Sequence, residues 1–318
     1  MSNCYLLGAG FSHELSCSKL PLLIDLGKEI DHLIDADLKQ KYDYSPETLE
    51  RFLTYLDLRT KSDPSSAESR ASEKITAFLI ERFGTEKFKD SIIPLGEEFV
   101  NKVLKHDDIV ITTNYDCLLE YIMCKSGMWT PNGGYSEIVQ NTLFNEQHIK
   151  NQSLRNIILL KIHGSVNFLE CCPLNEDGEK ELSHSFISVK IEQETFPSLY
   201  ANFGIIKKAI KGQYIIGPSY VKTIHPQILK LWTLAFKKVS NIESLVLIGT
   251  SLREEDTFLS LLLSNIQCKE VMVVNPDYEN IFGKLIKISS TTDSSIKRVA
   301  LNGLQDFLYW MESEGRIN

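Results

Sequence analysis

Four segments of this chain are almost unbroken runs of β-branched and aliphatic residues: Asp108-Ile109-Val110-Ile111-Thr112-Thr113, Asn156-Ile157-Ile158-Leu159-Leu160-Lys161-Ile162, Ser244-Leu245-Val246-Leu247-Ile248-Gly249 and Glu270-Val271-Met272-Val273-Val274-Asn275. A strand with one wet face would alternate apolar and polar residues, so unbroken runs mark parallel strands covered on both faces. A fifth, residues 3–8, runs into Gly8-Ala9-Gly10 and reads as a buried strand entering a tight turn. Amphipathic stretches lie between or after these runs, over Leu118, Leu119 and Ile122, and over Ile228–Val239, Phe258–Ile266 and Leu304–Met311. Strands alternating with helices predict an α/β fold with a Rossmann-like, doubly wound parallel sheet.

The rest of the chain fits around that sheet. Leu23, Leu26, Ile30, Leu33 and Ile34 recur at helical spacing, and residues 36–104 keep a polar, helical character broken near Ser62-Asp63-Pro64-Ser65. Residues 13–105 are therefore expected to form a mostly helical insertion after the first strand. Residues 171–215 are expected to form a second, smaller insertion with one extra strand at Phe186–Ile191. Residues 1–318 read as a single domain, because no linker rich in Gly or Pro interrupts them.

With 43% hydrophobic residues the chain can bury a substantial core. A net charge of -8 disfavours a free-standing nucleic-acid binder, since an acidic surface repels phosphate. The N-terminus lacks the basic start and apolar stretch of a signal peptide, and no run reaches the roughly 18 apolar residues of a membrane span. Seven cysteines without framework spacing suggest reduced thiols in the cytoplasm. No C-x-x-C pair occurs, so a four-cysteine zinc site has no support and no metal is expected.

Ligands of open α/β sheets bind beyond the carboxyl ends of the strands. Four places set polar or glycine residues there. Gly8-Ala9-Gly10-Phe11-Ser12 could bring backbone against a pyrophosphate, or be an ordinary strand-to-helix turn; His13 stands where a dinucleotide fingerprint would have its third glycine. Thr112-Thr113-Asn114-Tyr115-Asp116 could hold ribose hydroxyls, a carboxamide or a water, or merely cap a helix. His163, after an apolar strand and before Gly164, could act as a general base or grip a ribose, or be a histidine satisfied within the fold. Gly249-Thr250-Ser251-Leu252 and Val274-Asn275-Pro276-Asp277 suit an adenosine ribose and also suit plain turns.

Taken in order, Gly-Ala-Gly-x-Ser, Thr-x-Asn-x-Asp, His-Gly, Gly-Thr-Ser-Leu and a strand-end Asn resemble the sirtuin family. Thr112–Asp116, Lys161–Asn167 and Ile248–Leu252 are especially similar to the sirtuin-like NADase branch of bacterial antiphage systems. The resemblance implies that Gly8, Ala9, Gly10 and Ser12 line NAD phosphates. It implies that Asn114 fixes a catalytic water and the nicotinamide ribose, beside Thr113, and that Asp116 sits near the carboxamide. His163 would contact the ribose as base, and Gly249, Thr250, Ser251 and Asn275 would hold the adenosine half. The implied reaction is hydrolysis of NAD, as substrate, to nicotinamide and ADP-ribose, in an effector of antiphage defence.

The chain departs from protein-deacylating sirtuins. Those carry two C-x-x-C pairs after the His-Gly, where this chain has only Cys171-Cys172, and they usually show Phe-Gly-Glu where this chain has Ile216-Gly217-Pro218-Ser219 and then Lys222. A deacylase or ADP-ribosyltransferase, and a non-enzymatic NAD or ADP-ribose sensor, are the alternatives. No ATPase loop is present, so control is expected from a co-encoded ATPase partner or from homo-oligomers. Residues 13–105 and 302–312, with Leu304, Phe307, Leu308 and Trp310, are the expected surfaces for that assembly, or else those side chains are buried within the monomer.

Overall fold

The computed structural model describes residues 2–84, 94–136, 157–174, 178, 185–190, 208–217, 224–253, 256–288 and 297–317. Asn156, Ile191, Pro218, Ser219 and Lys222 lie outside them.

The first strand, β1 (Cys4–Leu7), is buried at every residue and is followed at once by α1 (Ala9–Leu15). Then come α2 (Leu23–Ile30), α3 (Ala36–Tyr42), α4 (Leu49–Ser62), α5 (Ala67–Arg82) and α6 (Pro94–Glu98), the last running into a π-helical turn at Phe99–Val103. The sheet resumes with β2 (Ile109–Thr112), and α7 (Leu118–Lys125), α8 (Pro131–Gly134) and β3 (Ile158–Lys161) follow. Next are β4 (Gly164–Pro173), β5 (Phe186–Val189) and β6 (Lys208–Ile215). The chain closes with α9 (Pro226–Val239), β7 (Ser244–Ile248), α10 (Thr257–Ser264), β8 (Glu270–Val274), α11 (Tyr278–Ile288), β9 (Lys297–Leu301) and α12 (Leu304–Ser313).

Six strands form one parallel sheet in the order β3-β2-β1-β7-β8-β9. Counting only these strands along the chain, the order is 3-2-1-4-5-6, the Rossmann arrangement. The chain winds outward from β1 in one direction and from β7 in the other. Right-handed crossovers then put the connecting helices on opposite faces. The expected doubly wound α/β sheet is the observed fold, and its reversal of direction falls between β1 and β7.

β9 was not among the expected strands. It pairs only with β8, at the sheet edge, and its sequence Lys-Arg-Val-Ala-Leu is largely exposed. A second sheet, antiparallel and ordered β5-β4-β6, starts at Gly164, directly after β3. Gly164 has a φ of +80°, and a β-carbon there would fall 2.5 Å from the Tyr214 carbonyl oxygen, so only glycine fits the corner between the sheets.

Aromatic residues tie the helical layer to the sheet. Phe99, in the π-helical turn, packs edge-on against Tyr5 of β1 at 5.8 Å and against Phe11 of α1 at 5.4 Å. All three are buried, and burial of each contributes on the order of 1.5–3 kcal/mol. Leu304, Phe307 and Leu308 of α12 are buried within the chain, so they are core residues and not an open assembly surface. The Trp310 ring is in contact with two cations, Lys297 at 5.4 Å and Arg316 at 4.6 Å from its centroid.

Candidate functional site

The ends of β1, β2, β3, β7 and β8 surround one cleft of about 1110 Å³, at the reversal point of the sheet. That is slightly above the usual range for small-molecule sites, roughly 300–1000 Å³. All twelve residues singled out from the sequence line it: Gly8, Ala9, Gly10, Ser12, Thr113, Asn114, Asp116, His163, Gly249, Thr250, Ser251 and Asn275. Side chains of the helical layer complete the wall, among them Leu22, Ile24, Glu50 and Phe83.

The glycine turns meet each other. Gly8 N–H donates to the Ile248 carbonyl at 2.9 Å and Gly10 N–H to the Gly249 carbonyl at 2.9 Å. Part of the need for glycine is thus this close backbone packing, and the Gly10 amide is already engaged.

Asn114 is held from both sides. Its backbone amide donates to Thr112 Oγ1 at 3.0 Å, and that hydroxyl donates to the Leu7 carbonyl at 3.0 Å. Its Nδ2 donates to the Gly8 carbonyl at 2.9 Å and to Ser12 Oγ at 2.8 Å. A carbonyl can only accept, so the amide orientation is fixed with nitrogen toward Gly8. With both Nδ2 hydrogens engaged, Oδ1 is the polar atom of this side chain left to accept from a bound water or hydroxyl.

Asp116 does what a cap residue does. Its Oδ1 accepts from the Leu118 N–H at 3.0 Å at the start of α7. Beneath it lies a buried ion pair, Lys161 Nζ to Glu120 Oε1 at 2.8 Å, with side-chain exposures of 1% and 2%. Burial is the largest single influence and pulls the Lys161 ammonium down, but Glu120, Cys117 and Asp116 together outweigh it and hold it above the usual lysine range. Lys161 also donates to the Asp116 carbonyl, Tyr135 OH donates to Glu120 at 2.8 Å, and Asn167 Nδ2 donates to Tyr135 OH at 3.0 Å.

His163 sits at the corner between the two sheets. Its carbonyl accepts from Ile216 N–H at 2.8 Å, and its ring lies 6.2 Å from that of Trp232. Its Nε2 is 2.9 Å from Oδ2 of Asp256, a residue the sequence reading did not select. Asp256 caps α10, with Oδ1 accepting from Leu259 N–H at 3.3 Å. As a bare residue before a helix it gives no sign of its distant partner.

At the ends of β7 and β8, Asn275 Nδ2 donates to the Thr250 carbonyl at 3.0 Å and its Oδ1 accepts from Asp277 N–H at 2.9 Å. Ser251 is exposed, and its carbonyl accepts from Lys284. Across the cleft Arg253 pairs with Glu50 of α4 at 2.5 Å. Among the described residues no cluster of three or more His, Cys, Asp or Glu could hold a metal ion, and no helix is long and apolar enough to cross a membrane.

No protein-family model matches this chain. No curated protein matches it either. Among solved structures, similar ones are Sir2 homologues. A Ser-to-Ala mutant in complex with ADP-ribose aligns with a TM-score of 0.44 and 18% identity, over 99% of this chain and 93% of that one. A His-to-Asn mutant with ADP-ribose gives 0.43 and 17%, over 100% and 94%. Sir2Tm bound to a propionylated peptide gives 0.38 and 12%, over 100% and 94%. Likeness at this distance carries no residue, ligand or activity over to this chain.

Proposed function

We propose that this chain is a sirtuin-like NAD hydrolase that converts NAD and water to ADP-ribose, nicotinamide and a proton. The observation that carries the reading is the convergence of Asn114 and His163 on one cleft at the reversal point of a Rossmann sheet. Their motifs are those that resemble the sirtuin-like NADases.

The chemistry asks for little else. As the bond between ribose C1′ and the nicotinamide nitrogen breaks, its electron pair leaves with nicotinamide and positive charge develops on the ribose. The Asn114 amide oxygen can accept a hydrogen from a water and aim its lone pair at C1′. The water oxygen bonds to C1′, and His163 takes up a proton and passes it to solvent. The carboxylates of Glu50, Asp116 and Asp256 on the cleft wall favour the developing cation. No step uses a metal, and elemental analysis of purified protein is expected to find no stoichiometric zinc.

The biological role we infer is a cytoplasmic antiphage effector, restrained until a co-encoded ATPase or self-assembly activates it. The support is the branch of the family that the motifs resemble. The test incubates purified protein with NAD, alone, with the co-encoded ATPase and with an acyl-lysine peptide, and separates products by chromatography. Nicotinamide and ADP-ribose without peptide are expected, in the first or second arm. Intact NAD in every arm overturns the reading, and turnover only with peptide replaces it with a deacylase. Full-rate cleavage by a monomer without a partner removes the control and leaves the catalysis.

A further inference from the structure

We propose that Asp256 is a positioning residue that pairs with His163 and fixes which ring nitrogen carries the hydrogen. This deepens the hydrolase reading of the cleft and rests on it for its kinetic consequence. The juxtaposition is Asp256 Oδ2 at 2.9 Å from His163 Nε2, both side chains about 10% exposed.

A carboxylate only accepts hydrogen bonds, so the nitrogen facing it must bear the hydrogen. In the neutral ring that assigns the hydrogen to Nε2 and the basic lone pair to Nδ1. The carboxylate itself is anchored, because Oδ1 accepts from Leu259 N–H at 3.3 Å. The histidine is anchored at its root by the Ile216 N–H and flanked on its face by Trp232. Among the described residues, the cleft wall also carries Asp116, Glu50 and Arg253, the last engaged with Glu50 at 2.5 Å, together with Glu14, Asp25 and Asp306.

A helix cap alone would not require this arrangement. Asn caps as well as Asp, and Ser nearly so. What the carboxylate adds is a charged acceptor for the imidazole, the role of the acidic partner in many sites where histidine acts as a base. Asp256→Asn is therefore the discriminating variant. It keeps the size and the acceptor for Leu259, but its amide group can donate to Nε2, which favours the other tautomer.

The first readout needs no turnover. Long-range proton–nitrogen NMR on protein labelled at its seven histidines, with the His163 signals assigned by their loss in His163→Gln, reports the tautomer. The hydrogen is expected on Nε2 in wild type and on Nδ1 in Asp256→Asn. The Nδ1 hydrogen in wild type, or no change in the variant, overturns the proposal.

The second readout is kinetic. Asp256→Asn should lower kcat for NAD cleavage about 100-fold or more, the usual contribution of an oriented base, with KM changed less than about threefold and Tm retained. Asp256→Glu, which keeps the charge, should recover part of kcat. Wild-type kcat in Asp256→Asn, or a kcat loss matched by a loss of Tm, refutes positioning. Should wild type leave NAD intact while the tautomer still switches, the pairing stands and the hydrolase reading falls.

Discussion

The amide of Gly10 and the carbonyl of Gly249 lie 2.9 Å apart, so the turns that follow β1 and β7 are in direct backbone contact. Gly249 has a φ of +61°, and a β-carbon there would fall 2.1 Å from the Phe11 nitrogen. Gly249→Ala meets both the left-handed backbone and this contact, and is expected to cost about 3 kcal/mol or more. Gly283→Ala, in α11 with open space around it, is expected to stabilise by about 0.5–1 kcal/mol. Thermal unfolding of the two variants beside wild type checks both signs.

Loss of either polar group at the heart of the cleft should slow turnover sharply, and loss of Asn114 should also lower stability. His163→Gln and Asn114→Ala are each expected to reduce NAD cleavage about 100-fold or more. Asn114→Ala should also lower stability by about 1–3 kcal/mol, because the Gly8 carbonyl and Ser12 hydroxyl lose their donor. Wild-type cleavage by both variants would remove these residues from the reaction.

The Lys161–Glu120 pair predicts a non-additive series. Lys161→Met leaves a buried carboxylate with, among the described residues, the Tyr135 hydroxyl as its side-chain partner, and is expected to cost about 3–5 kcal/mol. Lys161→Met combined with Glu120→Gln keeps that acceptor and removes the stranded charge, so it should recover at least half of the loss. Denaturant titration of the single and double variants measures the coupling, and simple addition of the two losses would contradict the pairing.

Acid should weaken the helical layer through Glu68. Hydrogen bonds from Lys41 and Tyr42 hold its carboxyl at about 2, against 4.5 for an ordinary glutamate. A carboxyl lowered in the folded state stabilises above its unfolded value and loses that contribution as pH falls toward the folded one. Wild type should therefore exceed Glu68→Gln in denaturant midpoint at pH 7, and the gap should close between pH 4.5 and 2. A gap that persists at pH 2 would assign the effect to something other than this ionisation.

Strands β1, β2, β3, β7 and β8 were legible because nearly all their residues are buried, which favours aliphatic and other apolar side chains. β9 was not, because Lys297, Arg298 and Ala300 are exposed and no unbroken apolar run marks it. The glycine turns and Asn114 were legible as chemistry at strand ends. The sequence did not reveal that Gly8, Gly10 and Gly249 pack on one another, since such contacts join segments far apart along the chain. Asp256 stayed hidden for the same reason. Next to Thr257 it looks like a helix cap, which it is, and its second role depends on a histidine brought to it by the sheet.

The reversal point has a consequence for synthesis. One wall of the cleft comes from the turn after β1, and the facing wall from the turn after β7. A nascent chain emerges from the ribosome in order, so the first turn waits without its counterpart until translation has passed Gly249. A prematurely terminated product ending between His163 and Gly249 contains Asn114 and His163 but lacks the facing wall of the cleft. The cleft, and any chemistry that depends on it, is thus absent through most of the chain's own manufacture, without any inhibitor to keep it so.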